Sequence, residues 1–303
     1  LFSWGMVSKT LQFSVFAYIS TVSNLILTKT DQLVLSTTLA VSAIAIYQAG
    51  AKAAEMFMAF AQQLPDTFSP AAAHLHAKGD KVFLQKLLIN GTRFSVMIAT
   101  PVYFICAFYM EGILRLLTGD KVASPETFWI GEVLLLWAYM ILVTQSVSKR
   151  IFMMCGHERK LMWLGVGEAL LNLCLSVALV LHFKNVVCVA IASLIATTVF
   201  GWFYLWPWAA REANLTALQL ARTVLFPIWL ACVPQLAFVI VGRFMPWFDF
   251  RTNIFLFLGQ SALAMGVGAF CLWKRALTLE EKQMLILKFS HAGKFITRRF
   301  SPV

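Results

Sequence analysis

The amino-acid sequence predicts an all-α protein, a polytopic membrane helix bundle with eight transmembrane helices. Of its 303 residues, 60% are hydrophobic and 13% are charged, and the mean hydropathy is +0.76. These values lie outside the usage of soluble domains. A bilayer core about 30 Å thick needs roughly 20 apolar residues of helix to cross it. Apolar runs of that length cover residues 9–35, 43–64, 93–110, 127–148, 161–183, 186–208, 223–243 and 253–273.

The distribution of basic residues orients these eight helices. With the N-terminus in the cytoplasm, 18 of the 25 Lys and Arg residues fall on the cytoplasmic side and five in the opposite loops. Such an excess follows the positive-inside rule, so we expect a multi-pass protein with both termini in the cytoplasm. A net charge of +11 could indicate a nucleic-acid partner. Because the basic residues are concentrated on the cytoplasmic side of the predicted spans, we expect no nucleic-acid partner.

The first span carries a row of polar residues. Ser20, Asn24, Thr28 and Asp31 fall on one face of the helix, and Lys29 lies beside them. Charges inside a membrane are costly unless they face a partner or a wet cavity. The row is therefore either a hydrogen-bonded seam against the next helix or one wall of a shared cavity.

The second span has a polar face of its own. Gln48, Lys52, Glu55 and Gln62 fall within an arc of about 80° on one side of the helix. Lys52 and Glu55 could simply neutralise each other as an i, i+3 pair, but local pairing does not explain the two glutamines. Because both helices carry charges, we favour a shared water-filled cavity. The helix is expected to end at its prolines, Pro65 and Pro70.

The later spans differ in their polar content. The fifth places Glu168 and Asn172 at i, i+4 inside an apolar run, where helix packing and cavity lining explain the pair equally well. The seventh and eighth have few polar groups, so we expect them to be peripheral or lipid-facing. The longest predicted outer loop has only about 16 residues, which is too short to form a folded extramembrane domain.

The sequence contains no motif for catalysis. There is no Gly-rich phosphate loop and no HExxH, so we expect no enzymatic activity and no cofactor. The six cysteines form no CxxC pair and mostly lie in or beside the spans, so we expect neither disulfides nor a metal site. The first residue is Leu1, and we expect the chain to be an excerpt of a longer protein.

Several stretches together resemble a known family. DQLVLSTTLAVSAIAIYQAGAK is similar to the segment of polysaccharide exporters in which an Asp ends one helix and a Tyr, Ala, basic sequence opens the next. FSPAAAHLHAKGD, Gly156, ALLNLCLSVALV and CVAIASLIAT follow in the matching order. Over roughly residues 10–210 the chain resembles the second half of a Wzx-type O-antigen flippase, in the multidrug/oligosaccharidyl-lipid/polysaccharide flippase superfamily, which includes the MATE transporters.

The resemblance implies an architecture and a transport function. Residues 1–210 would form the second six-helix lobe, residues 211–275 an additional helix pair, and residues 276–303 a basic cytoplasmic tail. The two lobes of such a flippase rock around a central cavity in alternating access. The implied substrate is an undecaprenyl-pyrophosphate-linked oligosaccharide, moved to the outer leaflet of the bacterial inner membrane. The implied partners are this substrate, membrane lipids, a missing N-terminal lobe and the polysaccharide polymerase machinery.

By the same resemblance, Lys52 is the expected counter-charge for the substrate pyrophosphate, because a cation compensates an anion held in a low dielectric. The alternatives are a MATE-type drug/cation antiporter and, third, a membrane glycosyltransferase or polymerase. A lobe rich in acidic residues would favour the antiporter. The full set of expected substrate-binding residues is Lys52, Glu55, Gln48, Asp31, Asn24, Lys29, Glu168 and Asn172.

Overall fold

The computed structural model of the chain describes residues 4–39, 41–119, 124–244, 254–277, 279 and 281–283. Within these ranges the chain is helical and has no strand. The α-helices are α1 (Trp4–Thr38), α2 (Val41–Ala77), α3 (Lys81–Phe108), α4 (Met110–Thr118), α5 (Pro125–Ile141), α6 (Val147–Met154), α7 (Glu158–Phe183), α8 (Val187–Val199), α9 (Trp206–Glu212), α10 (Ala217–Val224), α11 (Phe226–Phe244) and α12 (Ile254–Arg275). A π-helical segment joins α5 to α6 (Leu142–Ser146), and another joins α8 to α9 (Phe200–Leu205).

The described residues form a multi-pass membrane protein with fewer clear spans than the sequence predicts. Five helices are long and apolar enough to cross a membrane: Lys81–Phe108, Pro125–Met154, Glu158–Phe183, Val187–Glu212 and Phe255–Arg275. The bent pair α10 and α11 would make a sixth if it is one span. Helices form at both N-terminal runs as α1 and α2, but neither meets the same condition within the described residues. The count of eight spans is therefore not confirmed.

The predicted end of α2 at its prolines is wrong. The helix continues through Pro65 and Pro70 to Ala77. Contacts to α6 and its π segment hold the helix on both sides of Pro65: Gln62 Nε2 donates to Ser146 Oγ at 2.9 Å, and Arg150 pairs with Asp66. Tertiary contacts of this kind override local helix preference, which explains why a local rule failed here.

The core around the polar residues depends on close approach between α2 and α5. A Cβ added to Gly50 would lie 2.8 Å from the Thr127 carbonyl oxygen and 2.8 Å from Ile130 Cγ2. On the α5 side, a Cβ on Gly131 would lie 3.2 Å from the Gly50 carbonyl oxygen. Because neither glycine has a side chain, the two backbones can meet closely, as small residues allow in membrane helices. This contact fixes α2 beside α5 and so positions the polar face of α2.

The helix α11 packs onto α3 and α5 through buried polar groups, and α12 packs against α11 and α3. Gln235 of α11 is fully buried, and its Nε2 donates to the Pro101 carbonyl oxygen of α3 at 3.0 Å. Trp229 of α11 donates through Nε1 to the Tyr139 hydroxyl at 2.8 Å. The outer faces of both helices remain apolar and exposed, with Phe255 80% exposed. The pair therefore combines an apolar outer surface with specific attachment to the bundle.

The segment after α12 also returns to α3. The Arg93 guanidinium pairs with Glu281, with Nη1 2.9 Å from Oε1 and Nη2 3.1 Å from Oε2, and it also donates to the Ala276 carbonyl oxygen. Both side chains of this ion pair are mostly buried, at 14% and 18% exposed. A two-point contact between guanidinium and carboxylate is geometrically specific, so it fixes this segment against α3.

Candidate functional site

A cavity of about 330 Å³ lies between α1, α2, α5 and α8. Its polar wall comes from charged and amide side chains of the first two helices, and its apolar wall includes Leu134 and Trp137 of α5. The lining residues are Lys29, Asp31, Gln32, Tyr47, Gln48, Ala51, Ala54, Glu55, Met58, Ala59, Gln62, Leu134, Trp137 and Ser193. Mainly apolar concave surfaces of this size that carry a few polar groups bind small molecules or parts of larger ones.

The innermost charge of this cavity is the carboxylate of Asp31, which is 4% exposed. It accepts hydrogen bonds from three neutral donors on three other helices. The Tyr47 hydroxyl lies 2.5 Å from Oδ2, Ser193 Oγ lies 3.0 Å from Oδ2, and Asn172 Nδ2 lies 3.3 Å from Oδ1. We call Asp31, Tyr47, Asn172 and Ser193 the Asp31 cluster.

The Asp31 cluster joins α1, α2, α7 and α8 at one buried point. Ser193 Oγ also lies 3.1 Å from Asn172 Oδ1, so its single hydroxyl proton can serve either the carboxylate or the amide. Ser176 Oγ provides a further donor to Asn172 Oδ1 at 3.3 Å. Hydrogen bonds from neutral groups compensate a buried carboxylate only in part, because none of them supplies a full positive charge.

A second buried group contains Glu168, whose side chain is 4% exposed. Its Oε2 lies 3.2 Å from Lys149 Nζ. Its Oε1 accepts from Thr197 Oγ1 at 2.9 Å and from Gln145 Nε2 at 3.1 Å. We call Glu168, Lys149, Thr197 and Gln145 the Glu168 cluster. Trp137, which lines the cavity, donates through Nε1 to Thr197 Oγ1 at 2.9 Å and so connects the cluster to the cavity wall.

The two π-helical segments pack against each other beside the Glu168 cluster, and the first of them supplies Gln145. A Cβ added to Gly201 would lie only 2.3 Å from Thr144 Oγ1, so the segments pack here with no space for a side chain. Gln145, next in the chain, is 2% exposed and also donates to the Thr197 carbonyl oxygen at 3.2 Å. π-helical bulges of this kind re-aim side chains and recur at functional sites.

The expected residues Glu168 and Asn172 are both buried, but they have different partners. Asn172 belongs to the Asp31 cluster, and Glu168 is ion-paired with Lys149. One helical turn therefore separates an amide beside the cavity from a carboxylate that is already neutralised. Among the described residues, no three His, Cys, Asp or Glu side chains come together as metal ligands.

The expected residues of α2 divide between the cavity and its edge. Gln48 and Glu55 line the cavity, whereas Lys52 is not among its lining residues. Lys52 Nζ lies 2.9 Å from Glu55 Oε2, and the two side chains are 56% and 60% exposed. The i, i+3 pair that the sequence left open as an alternative is thus present, and it connects Lys52 to a lining carboxylate.

On α1, Lys29 is exposed and lines the cavity together with Asp31. Among the described residues that line the cavity, Lys29 is the one with a positive charge. The side chain of Asn24 lies outside the described part of the structure. The cavity wall therefore carries one positive charge, Lys29, and two negative charges, Asp31 and Glu55, with Lys52 neutralising the second from outside.

Several residues of the site were missed by sequence reasoning. Tyr47, Ser193, Thr197, Gln145 and Trp137 are uncharged, and isolated hydroxyls and aromatics are common in membrane helices. Tyr47, Ser193 and Thr197 do lie in the stretches that carry the family resemblance, which was the one available signal. Their importance is visible only once α2 and α8 are placed around Asp31.

Comparison with known proteins points to polysaccharide metabolism. Residues 1–124 match the model of a family described as polysaccharide biosynthesis protein. No curated protein matches the chain. No solved structure matches it either. Eleven of the 14 cavity-lining residues lie inside the matched segment. The match supports a part in polysaccharide biosynthesis or transport, and it places most of the cavity in the matching region.

Proposed function

We propose that the protein moves a lipid-linked oligosaccharide, carried on undecaprenyl pyrophosphate, from the cytoplasmic to the outer leaflet of the bacterial inner membrane. The observation that carries the proposal is the cavity between α1 and α2, which holds charges and amides in the segment that matches a polysaccharide biosynthesis family. A hydrophilic headgroup cannot cross hydrocarbon without such a polar surface.

The lining chemistry suits the two polar parts of this substrate. Gln48, Gln62 and Gln32 offer amide donors and acceptors, which can replace water around sugar hydroxyls. Lys29 offers an ammonium group to the pyrophosphate, and Lys52 prevents Glu55 from opposing it. At about 330 Å³ the cavity is small for a whole repeat unit, so we assign it to the pyrophosphate and the sugar nearest to it.

The wider arrangement in the cell follows from the same proposal. The cytoplasmic location of both termini rests on the distribution of basic residues. Alternating access would require a second helical lobe facing the open side of this cavity, and the flipped product would pass to polymerase machinery on the far side. The protein itself performs no covalent step in this account.

The test places Lys29→Ala in the chromosomal gene of the source cell, so that everything the protein normally works with is present. We expect lipid-linked repeat units to accumulate on the cytoplasmic leaflet and surface polysaccharide to fall, at unchanged membrane abundance. The matched control is Lys78→Ala, which removes an exposed lysine from the turn between α2 and α3, away from the cavity.

Two results would contradict the proposal. Normal surface polysaccharide in a strain lacking the whole gene, with raised sensitivity to cationic drugs, would favour the antiporter. Loss of polysaccharide with no accumulated lipid-linked precursor would instead favour an enzyme that acts before translocation.

A further inference from the structure

A second cavity of about 330 Å³ lies away from the transport site, between α3, α6, α9 and the end of α2. Its floor is apolar and buried: Leu88, Ile151 and Phe152 are each at most 2% exposed. Its rim is polar and includes Lys81, His76 and Gln85. An apolar floor below a rim of hydrogen-bond donors fits a ligand with an apolar part and a polar head.

The ends of four apolar helices meet at this cavity. Lys81 is the first residue of one candidate span and Glu212 is the last residue of another. Cys155 and His157 lie in the short connection between two more, Pro125–Met154 and Glu158–Phe183. Since the ends of membrane-spanning helices lie at the membrane surface, the cavity lies at the depth of lipid headgroups. Residues on this side also belong to the basic loops assigned to the cytoplasm.

Two lining residues, Phe152 of the floor and His157 of the rim, pack against the ring of Trp208 just outside the cavity. Trp208 stacks on Phe152 with ring centroids 4.2 Å apart, and His157 meets Trp208 edge-on at 5.2 Å. Lys160 Nζ lies 5.4 Å from the centroid of the Trp208 ring. Trp and basic residues at a helix end are typical of the membrane interface, where they face headgroups.

The rim offers an anion one lysine and several hydrogen-bond donors, against one opposing carboxylate. Lys81 forms no ion pair among the described residues, and His76, Gln85 and His157 add further donors. The acid of the lining, Glu212, already accepts a hydrogen bond from Trp208 Nε1 at 3.2 Å. Basic cavities between helix ends on the cytoplasmic side bind the headgroups of anionic lipids.

We propose that this cavity binds the phosphate of an anionic headgroup, with Lys81 as its main cation and the apolar floor receiving the adjoining chain. The site is independent of the proposed transport function, because it shares no lining residue with the first cavity. A phosphate could reach it from a bilayer lipid or as a free anion, and the two sources are separable by experiment.

The cavity contains its own reporter, the free thiol of Cys155. Burial raises the pKa of this thiol, and the nearby Glu212 carboxylate raises it further, so labelling is best done above neutral pH. The full chain is placed in nanodiscs of phosphatidylcholine alone or with phosphatidylglycerol, and labelling by a neutral maleimide is followed by mass spectrometry at each cysteine. Cys188, which lies at the end of the span Val187–Glu212 opposite Glu212 and does not line the cavity, is the internal control.

The proposal predicts slower labelling of Cys155, relative to Cys188, in phosphatidylglycerol. One basic charge near a headgroup is worth about fivefold in affinity, so Lys81→Gln should weaken the protection by about that factor. Glu212→Gln should strengthen it by a similar factor, since it removes the opposing charge. The matched control is Lys86→Gln on the same helix, whose Nζ lies over the Phe83 ring and outside the cavity; its protection should be normal.

Protection by inorganic phosphate in phosphatidylcholine discs would support phosphate recognition and assign the site to a free anion. Protection by phosphatidylglycerol alone would support it and assign the site to a lipid headgroup. Equal labelling under all conditions would overturn the proposal. Equal weakening by Lys81→Gln and Lys86→Gln would also overturn it, because general surface charge would then explain the effect.

Discussion

Removing Lys52 separates two roles that this residue could have. The variants are Lys52→Gln, Glu55→Gln and the double change. The Lys52–Glu55 ion pair is 2.9 Å long but more than half exposed on both sides. Pairs of this kind contribute about 0.5 kcal/mol or less to stability, so all three variants should insert and accumulate normally.

The effect on transport is electrostatic. In the native protein, Lys29 offsets Asp31 and Lys52 offsets Glu55, so the cavity and its edge are neutral overall. Lys52→Gln leaves one uncompensated carboxylate facing an anionic substrate. At roughly 7 Å and an effective dielectric constant between about 20 and 80, one unit charge changes the interaction by about 0.6 to 2.4 kcal/mol, or about 3- to 60-fold. The double variant restores neutrality and should recover most of the activity.

The assay measures surface polysaccharide and cytoplasmic-leaflet lipid-linked precursor in cells carrying each chromosomal variant, with protein abundance in the same membranes. Lys52→Gln should lose activity, and the double variant should regain it. A double variant as inactive as Lys52→Gln, at normal abundance, would refute neutralisation and show that Lys52 contacts the substrate itself. Full activity of Lys52→Gln would refute both roles.

Two further predictions concern stability and topology. Gly201→Ala should destabilise the protein by about 1 to 3 kcal/mol, because its Cβ would lie 2.3 Å from Thr144 Oγ1. The control variant Gly266→Ala has nothing within 4 Å of its added Cβ and should be neutral or slightly stabilising. Thermal unfolding in detergent distinguishes the two variants, and equal melting temperatures would contradict the packing described for the π segments. Cysteines placed at the exposed positions Lys184 and Lys78 should be labelled from opposite sides of the membrane, with only Lys184→Cys accessible from outside. Labelling of both from outside would contradict the orientation.

The polar face of α2 was predictable because helical periodicity is a local property of the sequence. Gln48, Glu55 and Gln62 are seven residues apart, which brings them close to one line along the helix, and all three line the cavity. Viewed down the helix axis, Lys52 is rotated about 40° from Gln48, in the direction opposite to Glu55. The cavity lies on the Glu55 side, so Lys52 does not line it. The direction in which a polar arc faces depends on neighbouring helices, and periodicity does not supply it.

The partners of Asp31 could not be found by local reasoning. Asn172 and Ser193 are 141 and 162 residues away along the chain, and each lies in a mainly apolar helix. The sequence singled out Asn172 because it lies four residues after Glu168 in an apolar run. That spacing predicted one shared environment, whereas the two side chains belong to different clusters. Burial of a charge predicts that partners exist, but only the packing of α1 against α7 and α8 identifies these two.

The helix boundaries show a similar division. Long apolar runs predicted the helices α5 and α7 well, because composition alone determines which segments favour a membrane. The end of α2 was misplaced, since the rule for proline treats a helix in isolation. Contacts from Ser146 and Arg150 hold this helix across Pro65, and those contacts come from residues more than 80 positions later.

Crosslinking in living cells tests most directly whether the cavity between α1 and α2 holds the substrate. A photoreactive amino acid is placed at Ala59, which lines the cavity, or at the adjacent Phe60, which is 47% exposed and does not line it. After irradiation, the purified protein is examined by mass spectrometry for attached lipid-linked saccharide. We predict an adduct at position 59 and none at position 60. Equal adducts at both positions, or none at position 59 while surface polysaccharide is still made, would contradict the proposed function.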